Sequence, residues 1–197
     1  MNTIGARHEV RTRSVPAWSF ALPVLVVLVA TATAAGIVIA NSSSKTPWVG
    51  SGHAVVGSKA PSFTSWDLNG NRVSLSDTKG RPVLLSFWAT WCTACQQELP
   101  ALQRIRDTYK AAGFTVLAVD YRETNATRMK QYLAGLNVNL ETVIDPQGSI
   151  AAAYAVDIGL PVNVWLDRSH VVNRITTGAV PDATLESAAS QVVGPAT

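Results

Sequence analysis

The sequence predicts an α/β domain in which helices cover a parallel sheet, preceded by a separate apolar segment. Short apolar runs alternate with stretches of helical spacing through residues 83–193, and this alternation is typical of a parallel sheet with helices on its faces. The separate segment is predicted because residues 18–40 carry no charge and are mostly apolar. That length is enough to cross a bilayer core of ~30 Å.

The N-terminal segment predicts export. Arginines precede it within residues 1–17, and only one lysine follows closely, so the positive-inside rule leaves residues 1–17 in the cytoplasm as a basic region. Its length favours a single-pass anchor, which would hold the domain on the extracytoplasmic face of the membrane. The alternative is a signal peptide cleaved after Ala34 or Ala40, since small residues precede both positions. The domain would then be secreted.

Composition limits the partners and the domain boundaries. Residues 41–56 are rich in Ser, Gly and Pro, which predicts a flexible linker and a folded domain over residues 57–197. The formal net charge is +3, of which the first 40 residues carry +2. A nucleic-acid binder needs a clustered basic face, so no nucleic-acid partner is expected.

The domain begins with a predicted β-hairpin. Alternating apolar residues in 63–66 and 73–75 flank Asn69-Gly70-Asn71, and Asn-Gly between such runs is a strong hairpin signal. A turn at 76–80 leads into the apolar run 83–88, which predicts a buried strand.

The remaining elements follow from apolar periodicity. A helix is expected to start after Cys92 and to end before Gly113, because Leu99 and Ile105 share one face with Cys95. Further strands are predicted at 114–119, 138–144, 162–167 and 171–177, and further helices at 124–135, 149–154 and 182–193.

The motif Trp91-Cys92-Thr93-Ala94-Cys95 contains the only two cysteines of the chain. Cys92 lies where the strand 83–88 ends and a helix begins. Unpaired backbone N–H groups and the positive end of the helix dipole stabilise a thiolate there. Cys95 lies one turn further on, close enough to attack a mixed disulfide formed on Cys92. This spacing indicates a reversible dithiol–disulfide couple.

Four other interpretations of the cysteine pair compete with the redox one. A structural staple across so short a loop removes only about 2 kcal/mol of chain entropy. A zinc site needs four ligands, and neither His53 nor His170 has ligand-like spacing. Covalent haem attachment needs a histidine where Gln96 stands. Two inert core cysteines remain an alternative. We expect redox chemistry and no metal or cofactor.

The segment from Phe87 to Pro100, with Trp91-Cys92-x-x-Cys95-x-x-Glu98, resembles the active site of thioredoxin-like proteins. It is most similar to the membrane-tethered or exported thiol–disulfide oxidoreductases of the TlpA/ResA kind, in the redoxin (AhpC/TSA) superfamily. The resemblance covers roughly residues 56–177. It implies a thioredoxin fold, with a central mixed sheet flanked by helices and the hairpin as an N-terminal addition.

The resemblance also implies an activity. The Cys92–Cys95 disulfide would exchange with protein thiols or disulfides, and a membrane-embedded thiol reductant or oxidant would recycle it. Several proteins of this kind serve cytochrome c maturation, so that process, or extracytoplasmic redox homeostasis, is the expected role. The direction of electron flow stays open.

Family resemblance assigns roles to further residues. Pro161 is expected to be cis and to expose the Leu160 backbone for pairing with an extended substrate. Trp91 is expected to shield the disulfide and contact substrate, beside Thr93 and Ala94 of the motif. That dipeptide brings no positive charge to lower the pKa of Cys92, which predicts a moderate rather than strongly oxidising couple.

Glu98 is the expected proton carrier for Cys95. Ser86 stands where thioredoxin has a buried aspartate, and membrane-tethered relatives carry a glutamate at the place of Glu98. Desolvation beside the disulfide would raise its pKa towards the range of a useful base. The alternative is a solvated glutamate on the helix surface.

Two other functions are kept as alternatives. A thiol peroxidase-like antioxidant fits the superfamily, although the Pro-x-x-x-Thr-x-x-Cys pattern of peroxide binding is absent around Cys92. A copper-delivering thioredoxin-like chaperone would need a three-residue spacer between its cysteines and a ligating histidine. Tight stoichiometric copper binding by the reduced domain, lost in Cys92→Ser, would favour the chaperone.

Overall fold

The computed structural model describes residues 47–157 and 159–194. The predicted basic region at 1–17, the predicted anchor or signal segment at 18–40 and the first part of the linker lie outside the described residues. Within the described ranges, no helix combines the length and the apolar character that crossing a membrane requires.

Two sheets form the framework. The smaller one is antiparallel and has the strand order β1-β2-β3. The larger one has the order β6-β5-β4-β7-β8, with β4, β5 and β6 parallel and β7 and β8 antiparallel to their neighbours. The strands are β1 (Trp48–Val49), β2 (Phe63–Trp66), β3 (Arg72–Ser74), β4 (Val83–Trp88), β5 (Thr115–Asp120), β6 (Glu141–Val143), β7 (Val162–Leu166) and β8 (Val172–Thr177).

Helices cover both faces of the five-stranded sheet. They are α1 (Thr93–Tyr109), α2 (Ala126–Gly135), α3 (Ser149–Ala153) and α4 (Asp182–Val193). On one face, α1, α2 and α4 pack against Trp88, Ala118 and Trp165. On the other face, α3 and the small sheet pack against Leu85 and Leu117. Alternate residues of each strand therefore belong to two separate apolar cores, as the period of a strand dictates.

The predicted hairpin is confirmed. Strands β2 and β3 pair antiparallel, with Ser65 opposite Val73, and residues 67–71 form the turn. The Asp67 carboxylate accepts the backbone N–H groups of Asn69 and Asn71, each at 2.8 Å. The turn is therefore held by its own aspartate side chain as well as by the Asn-Gly pair.

The predicted linker is too long at its C-terminal end. Trp48 and Val49 form a strand against β2, and Ala54 is buried with its N–H donating to the Ala153 carbonyl at 3.0 Å. Residues 48–56 therefore belong to the folded domain. Their Ser- and Gly-rich composition does not predict the two-residue strand β1, because β1 is formed only by pairing with β2.

The parallel sheet expected from strand–helix alternation is present only in β4, β5 and β6, and the mixed sheet implied by the family resemblance is confirmed. The alternation stops after α3, because β7 and β8 are joined by the short turn at residues 167–171 and must pair antiparallel. Strand β7 runs opposite to β4, so Val162 at its start lies beside Phe87 near the end of β4. This reversal brings the residue before β7, Pro161, to the cysteine end of the sheet.

Candidate active site

A tight turn carries the first cysteine from strand to helix. Strand β4 is buried along its whole length, and the Cys92 N–H donates to the Ala89 carbonyl at 3.1 Å, which closes a four-residue turn. Helix α1 begins at the next residue, with Cys92 as its N-cap. The Cys92 Sγ accepts the backbone N–H of Cys95 at 3.1 Å. This sulfur therefore faces the donors and the positive end of the helix dipole, as the sequence predicts.

The two cysteines form a disulfide across the first turn of α1. Their Cα atoms are 5.2 Å apart. Cys92 is 6% exposed and Cys95 is 1% exposed, while the preceding Trp91 is 62% exposed. An incoming sulfur reaches Cys92 more readily than Cys95.

The bond between Leu160 and Pro161 is cis, as predicted. Within the described part of the chain, no backbone group of Leu160 has a backbone hydrogen-bond partner. Leu160 and Trp91 line a common cavity of about 190 Å³ together with Tyr121 and Val156. The Trp91 ring meets the Tyr121 ring edge-on, with centroids 6.4 Å apart.

The remaining predicted contact residues flank this cavity without lining it. Thr93 is exposed at the first position of α1, whereas Ala94 is half-buried and packs against the core under α1. Pro161 is buried. The structure thus brings Trp91 and Leu160 together beside the disulfide, with Thr93 at the open end of the helix.

Glu98 is buried, so the solvated-surface interpretation is wrong. Its side chain is 5% exposed, and Asn163 on β7 donates its Nδ2–H to Glu98 Oε1 at 2.5 Å. Loss of water raises the pKa of Glu98, and the charge of Asp182 adds to this. The bond from Asn163 and the backbone N–H of Val180 act in the opposite direction.

Sequence reasoning missed a second carboxylate that holds the turn before Cys92. The Thr90 backbone N–H and hydroxyl both donate to Glu123, at 2.7 and 2.6 Å. In addition, the Tyr121 N–H donates to the Trp88 carbonyl at 2.8 Å. The segment that follows β5 therefore clamps the turn at residues 89–92.

Asp120, the last residue of β5, fixes the segment that carries Glu123. Its carboxylate is fully buried and accepts the backbone N–H groups of Glu123 and Asp145. Burial raises the pKa of Asp120 to about 7. The two N–H bonds lower it, and the nearby charges of Glu123 and Asp145 raise it. The sequence did contain a sign of each buried polar residue. Asp120 ends an otherwise apolar strand, and Asn163 interrupts the apolar run 162–166.

Comparison with known proteins agrees with this geometry. The sequence profile of the AhpC/TSA family matches residues 56–175. The chain belongs to the AhpC/TSA family. The thiol-disulfide oxidoreductase ResA of Geobacillus kaustophilus is 34% identical over 131 residues, which are 66% of this chain and 74% of that protein. ResA of Bacillus thuringiensis is 34% identical over 117 residues, 59% of this chain and 66% of that protein. The chain thus spans just under two thirds of the Bacillus thuringiensis relative.

Solved structures place this AhpC/TSA family member in the thioredoxin-like fold. A DsbE-type thiol:disulfide interchange protein from Chlorobium tepidum superposes with a TM-score of 0.66 at 32% identity, covering 72% of this chain and 99% of that chain. The thioredoxin domain of a thiol-disulfide oxidoreductase from Bacteroides vulgatus gives 0.61 at 26% identity, covering 71% and 99%. The TlpA/ResA-type resemblance predicted from the cysteine motif is confirmed. The relatives named above are thiol-disulfide oxidoreductases.

Asp120 makes the stability of this family member depend on pH. Its pKa is raised above the unfolded value of about 3.9, so the folded state binds the proton more tightly. The contribution of Asp120 to the free energy of unfolding is therefore greatest below about pH 4 and is lost as the pH rises through about 7. We expect Asp120→Asn to remove this dependence and to be more stable than wild type at pH 8 by on the order of 2–3 kcal/mol.

Urea unfolding of the oxidised protein between pH 4 and pH 8.5 measures this. Asp157→Asn, at an exposed loop position, is the matched control and should leave the pH dependence as in wild type. Identical pH dependence in Asp120→Asn and wild type would show that Asp120 is ionised throughout the range.

The hydrogen bonds between Thr90 and Glu123 should make the effects of mutating these two residues on the free energy of unfolding non-additive. Thr90→Val removes the hydroxyl bond alone and should cost about 1–2 kcal/mol, because the acceptor is a carboxylate that is only partly buried. Once Glu123→Ala has removed the acceptor, Thr90→Val should cost close to nothing further. A double-mutant cycle by urea unfolding measures the difference. Thr127→Val, at an exposed position of α2, is the control, and strictly additive single effects would contradict the clamp.

Proposed function

We propose that the protein is an exported thiol–disulfide oxidoreductase that exchanges its Cys92–Cys95 disulfide with protein substrates. The observation that carries the proposal is the bonded cysteine pair at the N-cap of α1, at the end of the sheet where β7 begins after the cis Leu160–Pro161 bond. A staple across so short a loop contributes little stability. Both the location of the pair and its surroundings suit a disulfide that opens and closes.

Cys92 is the attacking and attacked sulfur. To reduce a substrate, the Cys92 thiolate attacks one sulfur of the substrate disulfide, forms a mixed disulfide and releases the other substrate sulfur as a thiolate. The helix dipole and the Cys95 N–H lower the free energy of the Cys92 thiolate before attack. The exposure of Cys92, although small, exceeds that of Cys95.

Cys95 resolves the mixed disulfide and Glu98 carries its proton. The Cys95 thiol gives its proton to the Glu98 carboxylate, attacks Cys92 Sγ and releases the second substrate thiolate. This restores the Cys92–Cys95 disulfide with Glu98 protonated. In the reverse direction the Glu98 proton goes to the Cys95 thiolate as the disulfide opens. Burial of Glu98 favours its neutral form and makes it a base of useful strength.

An extended substrate segment would bind beside Pro161. The backbone groups of Leu160 are free to pair with it as an added strand. Trp91, the residue before Cys92, and Leu160, the residue before the cis proline, line one cavity, and a substrate side chain near the reacting cysteine would fill it. Thr93 lies on the exposed side of Cys92 and Ala94 behind it.

The expected location is the extracytoplasmic face of the cell membrane, with residues 18–40 as the anchor and a secreted form as the alternative. The support is the uncharged, apolar stretch and the arginines that precede it. A membrane-embedded dithiol partner would then recycle the disulfide. The relatives named thiol-disulfide oxidoreductase ResA support the exchange chemistry. The export predicted from residues 18–40 would direct that chemistry to exported protein thiols, with cytochrome c maturation as one candidate process.

Trapping tests the proposed function directly. Cys95→Ser in the reduced state should form a stable mixed disulfide with insulin through Cys92, because the resolving sulfur is missing. Non-reducing electrophoresis and mass spectrometry of the adduct measure it. Cys92→Ser is the matched control and should form no adduct. If Cys95→Ser forms none while its Cys92 remains open to alkylation, the resolving role of Cys95 is wrong.

The reduction potential of the Cys92–Cys95 couple distinguishes a reductase from an oxidase. Because Thr93 and Ala94 bring no positive charge to Cys92, we expect a value closer to roughly −270 mV, as in thioredoxin, than to roughly −120 mV, as in a dedicated oxidant. Equilibration with glutathione or dithiothreitol buffers and mass spectrometry of the alkylated thiols give the value. A potential near roughly −120 mV would contradict the reductase direction.

A further inference from the structure

A row of polar side chains crosses the sheet beneath Glu98. Asn163 on β7 pairs with Ser86 on β4 and with Thr176 on β8, so the three side chains lie side by side on the sheet face that α1 covers. Ser86 and Asn163 are buried. Apolar residues such as Trp88 and Trp165 flank this row on the same face. Polar residues in such a place need hydrogen-bond partners.

The hydrogen bonds of Asn163 and Glu98 are incomplete if Glu98 is ionised. Asn163 Nδ2 donates to Glu98 Oε1, but Asn163 Oδ1 and Glu98 Oε2 are both buried and have no hydrogen-bond partner among the described residues. Both are acceptors when the carboxyl is ionised, and burying two unpaired acceptors is costly. A proton on Oε2 turns that oxygen into a donor, and Asn163 Oδ1, on the residue that already donates to Oε1, is an acceptor without a partner.

We propose that Asn163 is the positioning residue for Glu98: in the oxidised protein the two side chains form a reciprocal acid–amide pair, with the Glu98 O–H donating to Asn163 Oδ1. The inference rests on the proposed thiol–disulfide exchange and adds the residue that controls its proton. After the proton has passed to Cys95, the Asn163 amide still donates to the carboxylate. Asn163 therefore orients Glu98 in both charge states.

Other groups face Glu98 and set the limits of this pairing. The Val180 backbone N–H favours the ionised form of Glu98, but its geometry falls short of a hydrogen bond to Glu98 Oε2, which has no partner among the described residues. The negative charge of Asp182 at the start of α4 opposes ionisation. Asp182 is itself paired with Arg104 at 2.6 Å, which weakens its effect. The disulfide of Cys92 and Cys95 is uncharged. Asn163 is the side chain that donates to the Glu98 carboxyl.

Thr176 is the competing partner for Asn163. Its hydroxyl oxygen is buried and has no partner among the described residues, and it lies directly across the strand pair from Asn163. Rotation of that hydroxyl would offer a donor to Asn163 Oδ1 without a proton on Glu98. Thr176→Val keeps the shape and removes the donor, so it separates the two possibilities.

The test follows the charge of Glu98 and the rate of the proton-dependent step. In oxidised full-length protein with ¹³C-labelled glutamate, the Glu98 carboxyl carbon, assigned with Glu98→Gln, should titrate above the ordinary carboxyl range. Asn163→Leu leaves the carboxyl in hydrocarbon without its amide donor. The titration midpoint of Glu98 in this variant should rise by at least one pH unit. Release of glutathione from the Cys92 mixed disulfide should slow at least tenfold at pH 7 and recover at higher pH.

Thr176→Val should leave the midpoint and the release rate as in wild type. The inference is overturned if Glu98 in the oxidised wild type titrates in the ordinary carboxyl range, if Asn163→Leu leaves the midpoint unchanged, or if Thr176→Val shifts it equally. Should Asn163→Leu not fold, the oxidised-minus-reduced infrared spectrum of wild type decides. A protonated carboxyl band, absent in Glu98→Gln, must disappear on reduction. Adducts of Cys95→Ser with insulin do not depend on this pairing, so their absence would instead reject the proposed function.

Discussion

The site depends on the junction where a fully buried strand passes into a helix within four residues. Strand β4 is hydrogen-bonded on both sides, to β5 and β7, so its end is held in place by the whole sheet. The turn from Ala89 to Cys92 then leaves the first sulfur at the helix N-cap. The electrostatic advantage of that position exists only because the strand cannot shift relative to the helix.

The reversed direction of β7 completes the site. Since β7 runs antiparallel to β4, its first residue lies beside the end of β4, and the cis Leu160–Pro161 bond lies at the cysteine end of the sheet. In a fully parallel sheet the start of β7 would lie at the opposite edge, far from the disulfide. Sheet topology therefore brings Leu160 and the exposed Trp91 to the same cavity.

Buried polar groups concentrate around this junction. Asp120, Glu98 and Asn163 are all buried, and Asp120 and Glu98 both have a raised pKa because they have lost water. Apolar residues at these places would give a more stable core. Asp120 secures the segment that holds Thr90, and Glu98 with Asn163 forms the buried acid–amide contact behind the cysteine turn. Buried groups with a raised pKa are typical of functional sites, which is the basis for the role in proton transfer that we propose for Glu98.

Local sequence by itself determined the positions of β4 and α1, the hairpin, the cysteine pair at the strand–helix junction and, through its resemblance, the cis proline and the thioredoxin-like family. These depend on spacing and turn chemistry that act over a few residues. Only the tertiary structure decided that Glu98 is buried, that Asn163 contacts it, that Glu123 holds Thr90 and that β1 exists. Each of these joins residues far apart in the chain. Their partners follow from strand order and direction, which periodicity along the chain does not encode.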